Sequence, residues 1–196
     1  MVDTSLGFTT PDGTDDVLPT SQMALTAVDI DSWLTSQPNL GAQALARFTG
    51  AGVTGAVVTF PATENLRLTI SGHFDGTTAR FVRWRINQNS ADLYRHHTVS
   101  HDEAGTLVAY GGDNIDISQV SIGLVGSTFF SLTAHMSLRG DLPVWSGTMS
   151  GESGAAWRTG SFGGVLRAIE IPARFDITVS TGLFSSLQVD VTGFPQ

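Results

Sequence analysis

The chain has 196 residues, a formal net charge of -8, 14% charged and 41% hydrophobic residues, and 22 glycines. That length can bury one sizeable core without a disulfide or a metal, and the apolar content excludes a disordered chain. Cysteine is absent and all ten basic residues are arginine. This excludes thiolate chemistry, lysine Schiff bases and P-loops, and the acidic balance opposes a nucleic-acid partner.

No run reaches the roughly 18 apolar residues of a bilayer span, so no membrane insertion is expected. Met1 to Ser5 offers neither a basic nor an apolar signal segment, which leads to the expectation of a chain made in the cytoplasm. Residues 1–18 read as an extended arm, with Pro11-Asp12-Gly13 as a turn. From Thr20 to Ser36, Met23, Ala27, Ile30 and Leu34 recur at 4-3-4 spacing, which predicts one short α-helix. Pro38 ends it. Residues 1–36 are thus expected to serve attachment and oligomerisation. Residues 37–54, with Gly41, Gly50 and Gly52, read as a connector holding one helical turn around Ala42 to Arg47.

From Gly55 the period becomes two, and residues 55–196 are expected to form the β domain. Phe130, Leu132, Ala134, Met136 and Leu138 alternate with Ser131, Thr133, His135 and Ser137. Val82-Trp84-Ile86, Phe175-Ile177-Val179 and Leu187-Val189-Val191 alternate likewise, as do Val165, Ile169 and Ile171 with Arg167 as a breach. Shorter strands are expected at Ala56 to Phe60, Leu66 to Ser71, Val120 to Val125 and Val144 to Met149. Gly/Asp clusters, among them Ser71-Gly72, Arg139-Gly140-Asp141, Gly151 to Gly154 and Gly163-Gly164, read as the turns between them. The fold class expected is all-β: an antiparallel β-sandwich or jelly roll preceded by an extended arm and one short α-helix.

Candidate chemistry is sparse. His96, His97 and His101, with Asp102 and Glu103, form the densest set of metal-ligand types, but their surroundings read as a solvated loop. Asp12, Asp15 and Asp16, and Asp113, Asn114 and Asp116, lack the distal glutamate of a calcium loop. No serine stands in a G-x-S-x-G elbow, and Glu152, Glu170 and Asp176 are scattered. Neither an enzyme, a metal nor a cofactor is expected. Trp145, Trp157 and Arg158 flank a Gly/Ser-rich loop, Ser146 through Thr159, and are the candidates for stacking on sugar rings.

Gly7-Phe8-Thr9-Thr10-Pro11-Asp12-Gly13-Thr14-Asp15-Asp16-Val17, followed by Ala24 to Leu34, resembles the opening of many fibre and spike proteins of tailed bacteriophages. Leu66-Arg67-Leu68-Thr69-Ile70-Ser71-Gly72, then Val82-Arg83-Trp84-Arg85-Ile86-Asn87 and Tyr94, is similar to a β-sandwich module of phage tail and head appendages. Ile169-Glu170-Ile171 and Phe184 to Val189 resemble its last two strands, while Val191-Thr192-Gly193-Phe194 departs from its tyrosine-glycine ending. The resemblance implies a minor virion protein, a fibre, spike or head decoration, located in the virion after synthesis in the host cytoplasm. Leu6, Phe8, Val17 and Leu18 would order on a neighbouring chain, and the stripe Met23, Ala27, Ile30, Leu34 would gather copies, a homotrimer being expected. Other virion proteins are the expected partners. The alternative is a carbohydrate-binding module that reads a host surface glycan through Trp145 and Trp157.

Overall fold

A computed structural model describes residues 2–3, 9–10, 41–75, 80–102, 107–110, 119–124, 129–153 and 156–194. The chain divides at residue 41 into an N-terminal unit and a β unit. In the first, β1 (Val2–Asp3) pairs antiparallel with β2 (Thr9–Thr10). The helix expected over 20–36 lies outside the described residues, and among the described residues there is no helix.

The β unit carries β3 (Gln43–Gly50), β4 (Gly55–Thr59), β5 (Leu66–Phe74), β6 (Arg80–Ile86), β7 (Tyr94–Asp102), β8 (Leu107–Tyr110), β9 (Val120–Leu124), β10 (Phe130–Arg139), β11 (Leu142–Ser153), β12 (Ala156–Leu166), β13 (Arg174–Val179) and β14 (Phe184–Gly193). They form two antiparallel sheets, ordered β3-β14-β5-β10-β11-β12-β7-β8 and β4-β13-β6-β9. One hydrophobic core draws on both, as a β-sandwich requires. Trp84 of the smaller sheet meets Phe162 of the larger edge to face, with ring centroids 5.7 Å apart.

The alternation expected for β6, β10, β13 and β14 is present, with the apolar set buried except for Leu138 and Val179, which are half-buried near the strand ends. The turn at Gly140-Asp141 also stands where expected. Both residues have positive φ (56° and 65°), the requirement of the two-residue turn that matches strand twist. Three expectations need correction. Ala42 to Arg47 forms no helical turn: Gln43–Gly50 is strand β3, paired along β14 from Leu187 to Gly193. The histidine stretch is strand β7, not a loop, because Thr98 and Ser100 fill its buried positions. Residues 167–173 are not strand, and Ile169 and Ile171 are exposed.

The glycine clusters also change meaning. Gly147, Gly160, Gly163 and Gly164 lie inside β11 and β12. The inward-facing pairs across this hairpin are Trp145 with Gly164, Gly147 with Phe162, Met149 with Gly160 and Gly151 with Arg158. Each pair joins one glycine to one bulky side chain. A Cβ on Gly147 would come 2.5 Å from the Phe162 ring, one on Gly164 2.6 Å from Trp145, and one on Gly160 2.8 Å from Met149. The glycines are therefore the volume into which the large rings pack.

Two polar anchors fix the ends. Tyr94 Oη accepts the Ile86 N–H at 2.9 Å and donates to the Asn89 carbonyl at 3.2 Å. This holds the turn after β6, where Asn87 and Gln88 both have positive φ; burial raises the phenol to about 12. The buried Arg80 guanidinium pairs with Asp75 and donates to the Leu183 carbonyl at 3.0 Å. Hydrogen bonds from the Leu183 N–H and from Arg80 hold the Asp75 carboxyl below its usual value.

Gly147→Ala should destabilise the fold by about 1–3 kcal/mol through overpacking, read as a lower urea midpoint. Gly41→Ala, whose added methyl meets nothing, should leave the midpoint unchanged.

Candidate functional site

Because β-strand side chains alternate between faces, the register decides which residues share the outer face of the larger sheet. One row runs His101 (β7), Thr159 (β12), Ser150 (β11), Ser131 (β10), Ser71 (β5), Gln188 (β14) and Thr49 (β3). The next outward row runs Val99, Ser161, Thr148, Thr133, Thr69, Asp190 and Arg47. Hydroxyl side chains occupy four successive strands in both, and a depression of about 450 Å³ opens over them between β7 and β10.

Above the first row lies a third of different character. Glu152 is paired with Trp157, and the Glu152 N–H donates to the Phe129 carbonyl at 3.0 Å. His73 follows Gly72, the partner of Phe130, and its ring meets Phe129 edge to face at 5.6 Å. Trp157 is 42% exposed and Phe129 38%. A second depression, of about 540 Å³, is lined by His73, Phe129, Ser71, Ser186 and Gln188.

The sugar-stacking candidates part company here. Trp157 is on the surface. Trp145 is 2% exposed, packed 6.3 Å from Tyr94 and over Gly164, so it is a core ring and not a surface platform. Arg158 is half-buried and pairs with Gly151 on the inward side of the hairpin, away from the face that carries Trp157. The stretch they were expected to flank is mostly the two strands β11 and β12. Phe129, His73 and the hydroxyl rows escaped the sequence, because only cross-strand register brings them to Trp157. The visible trace is the alternation Ser131, Thr133, His135, Ser137, the polar side of a half-buried strand.

The candidate ligand clusters are dispersed. His97 and His101 share a face of β7 but stand about 13 Å apart along an extended strand, while His96 points inward. Among the described residues no group of three His, Asp or Glu side chains could hold a metal ion. Asp12, Asp15, Asp16, Glu103, Asp113, Asn114 and Asp116 lie outside the described residues, as do Leu6, Phe8, Val17, Leu18, Met23, Ala27, Ile30 and Leu34. Glu152 is on the outer face of the larger sheet. Glu170 accepts from Asn89 Nδ2 at 2.7 Å, and Asp176 holds the Arg174 guanidinium in the smaller sheet.

His96 Nε2 lies 3.0 Å from the Ser121 carbonyl oxygen, so the neutral ring carries its hydrogen there, and Nδ1 is buried with no hydrogen-bond partner among the described residues. Burial lowers the imidazole's pKa, the Ser121 hydrogen bond acts against this, and neighbouring His97 adds to it.

Comparison with protein-family models, curated proteins and solved structures gives no match.

Because folded His96 binds a proton less readily than the unfolded chain, its contribution to stability is complete above the ordinary histidine value of 6.5. That contribution is lost as the pH falls through the folded value. Denaturant titrations between about pH 7.5 and 5 should show falling stability, and His96→Gln should flatten that dependence.

Proposed function

We propose that the protein is a non-enzymatic structural component of a bacteriophage virion: an oligomeric fibre, spike or decoration appendage anchored by its N-terminal region. The observation that carries this reading is the strand order. With the additional strands β7, β8, β11 and β12 set aside, the larger sheet reads β3-β14-β5-β10 against β4-β13-β6-β9 in the smaller. The chain then changes sheet at every connection except β6 to β9, which are neighbours. This winding supports reading the sandwich as a jelly roll, an architecture used by viral shell proteins and lectins.

A jelly roll hosts many functions, so the N-terminal region bears on the reading as well. Residues 1–41 include Asp3, Asp12, Asp15, Asp16, Asp29 and Asp31 and no arginine. An acidic N-terminal region suits a basic surface on another virion protein, while the 4-3-4 spacing of Met23, Ala27, Ile30 and Leu34 in the sequence is the pattern through which copies of the chain would associate. The part is then made in the host cytoplasm and ends in the particle.

Sedimentation equilibrium of the full chain tests this. The expected mass is that of three copies, falling to one in the double variant Ile30→Asp, Leu34→Asp with the β unit still folded by circular dichroism. A wild-type chain that stays monomeric at every concentration overturns the reading.

A further inference from the structure

Among the described residues of the β unit, Val57, Phe129, Trp157, Ile169, Ile171 and Leu183 are the large hydrophobic side chains that stand exposed. The two aromatic ones fall on the same cross-strand row, on β12 and just before β10, with Glu152 of β11 between them. Two strand steps separate them, about 10 Å, and both project from the same sheet face. The adjacent row is hydroxylic from β12 to β5: Thr159, Ser150, Ser131 and Ser71.

We propose that this row and the hydroxyl rows beside it form a binding site for a linear, neutral polysaccharide. The site goes beyond the structural role and does not rest on it. A pyranose ring has an apolar C–H face and a rim of hydroxyls. The first needs a flat apolar platform, which Trp157 and Phe129 supply at the spacing of alternate rings in an extended chain. The second needs groups that hydrogen-bond hydroxyls, which serine and threonine side chains and imidazole rings do. His73, edge-on to Phe129, and His101, at the end of the hydroxyl row, place imidazoles at opposite sides of the platform.

Charge sets the class of glycan. Glu152 stands between Trp157 and Phe129 on the row, and among the described residues no arginine stands in this row or in the hydroxyl row next to it. Uronate, sialate and sulfate groups would meet like charge there. A nucleic-acid strand, which also stacks on aromatic rings, needs a basic groove for its phosphates. Neutral hexose or N-acetylhexosamine chains are the ligands the face admits.

Affinity electrophoresis of the full chain, in gels cast with soluble starch, dextran, glucomannan, xylan, glycol chitin or alginate, tests the site. At least one neutral polysaccharide should retard the wild type, and alginate should not. Trp157→Ala and, separately, Phe129→Leu should each weaken that retardation at least tenfold with unchanged melting curves. Glu152→Gln should keep it and gain retardation by alginate. Val57→Ala, on the smaller sheet, should behave as wild type. The proposal is overturned if no neutral polysaccharide retards the protein, or if Trp157→Ala is retarded as strongly as the wild type. Neither result would bear on the sedimentation mass, which tests the structural role alone.

Discussion

The β unit depends on glycine meeting bulk across the β11–β12 hairpin. Trp145, Phe162 and Met149 are too large to pack inward from neighbouring strands if each faced a side chain of ordinary size. Opposite each stands a glycine, and the volume of the missing side chain is what the ring or thioether occupies. Phe162 can then reach Trp84, which joins the sheets, and Trp145 can lie beside Tyr94, whose hydroxyl holds the turn after β6. The constraint on one hairpin is thereby transmitted to both layers. It also accounts for part of the high glycine content without appeal to flexibility, since these glycines are strand residues.

The same hairpin creates the outer face. A strand that sends Trp145, Gly147, Met149 and Gly151 inward must send Ser146, Thr148, Ser150 and Glu152 outward. Packing on one side thus fixes the register of hydroxyls on the other. The outward side chains are small, so the surface above β10, β11 and β12 is low and open, with Trp157 and Phe129 rising at its margin. Such a face has little capacity for apolar burial but a dense supply of hydrogen-bonding groups, which favours a hydroxylated ligand over an apolar peptide.

Much of the sandwich was legible in the sequence because period-two burial is a local property. β6, β10, β13 and β14 each announce themselves within their own residues. What was not legible depends on partners far along the chain. β3 has the alanine-rich look of a helical turn, yet β14 pairs with it and overrides that preference. β7 carries polar side chains on both faces, so its alternation is hidden, although Thr98 and Ser100 are fully buried. Ile169-Glu170-Ile171 alternates as a strand should but finds no sheet. For the surface site, Trp157 was within reach of sequence reasoning and Trp145 was misplaced, because parity along two adjacent strands decides which ring is outward. Phe129 and His73 become neighbours only through strand pairing.

β14 lies between β3 and β5 although some 140 residues separate it from β3. On the ribosome, β3 and β5 therefore wait with open hydrogen-bonding edges until residues 184–193 emerge. Pairings this distant in sequence are slow to close. The nascent chain passes through a stage in which half-built sheets can recruit each other, and a companion that shields those edges would raise the yield of folded subunits without touching the finished one.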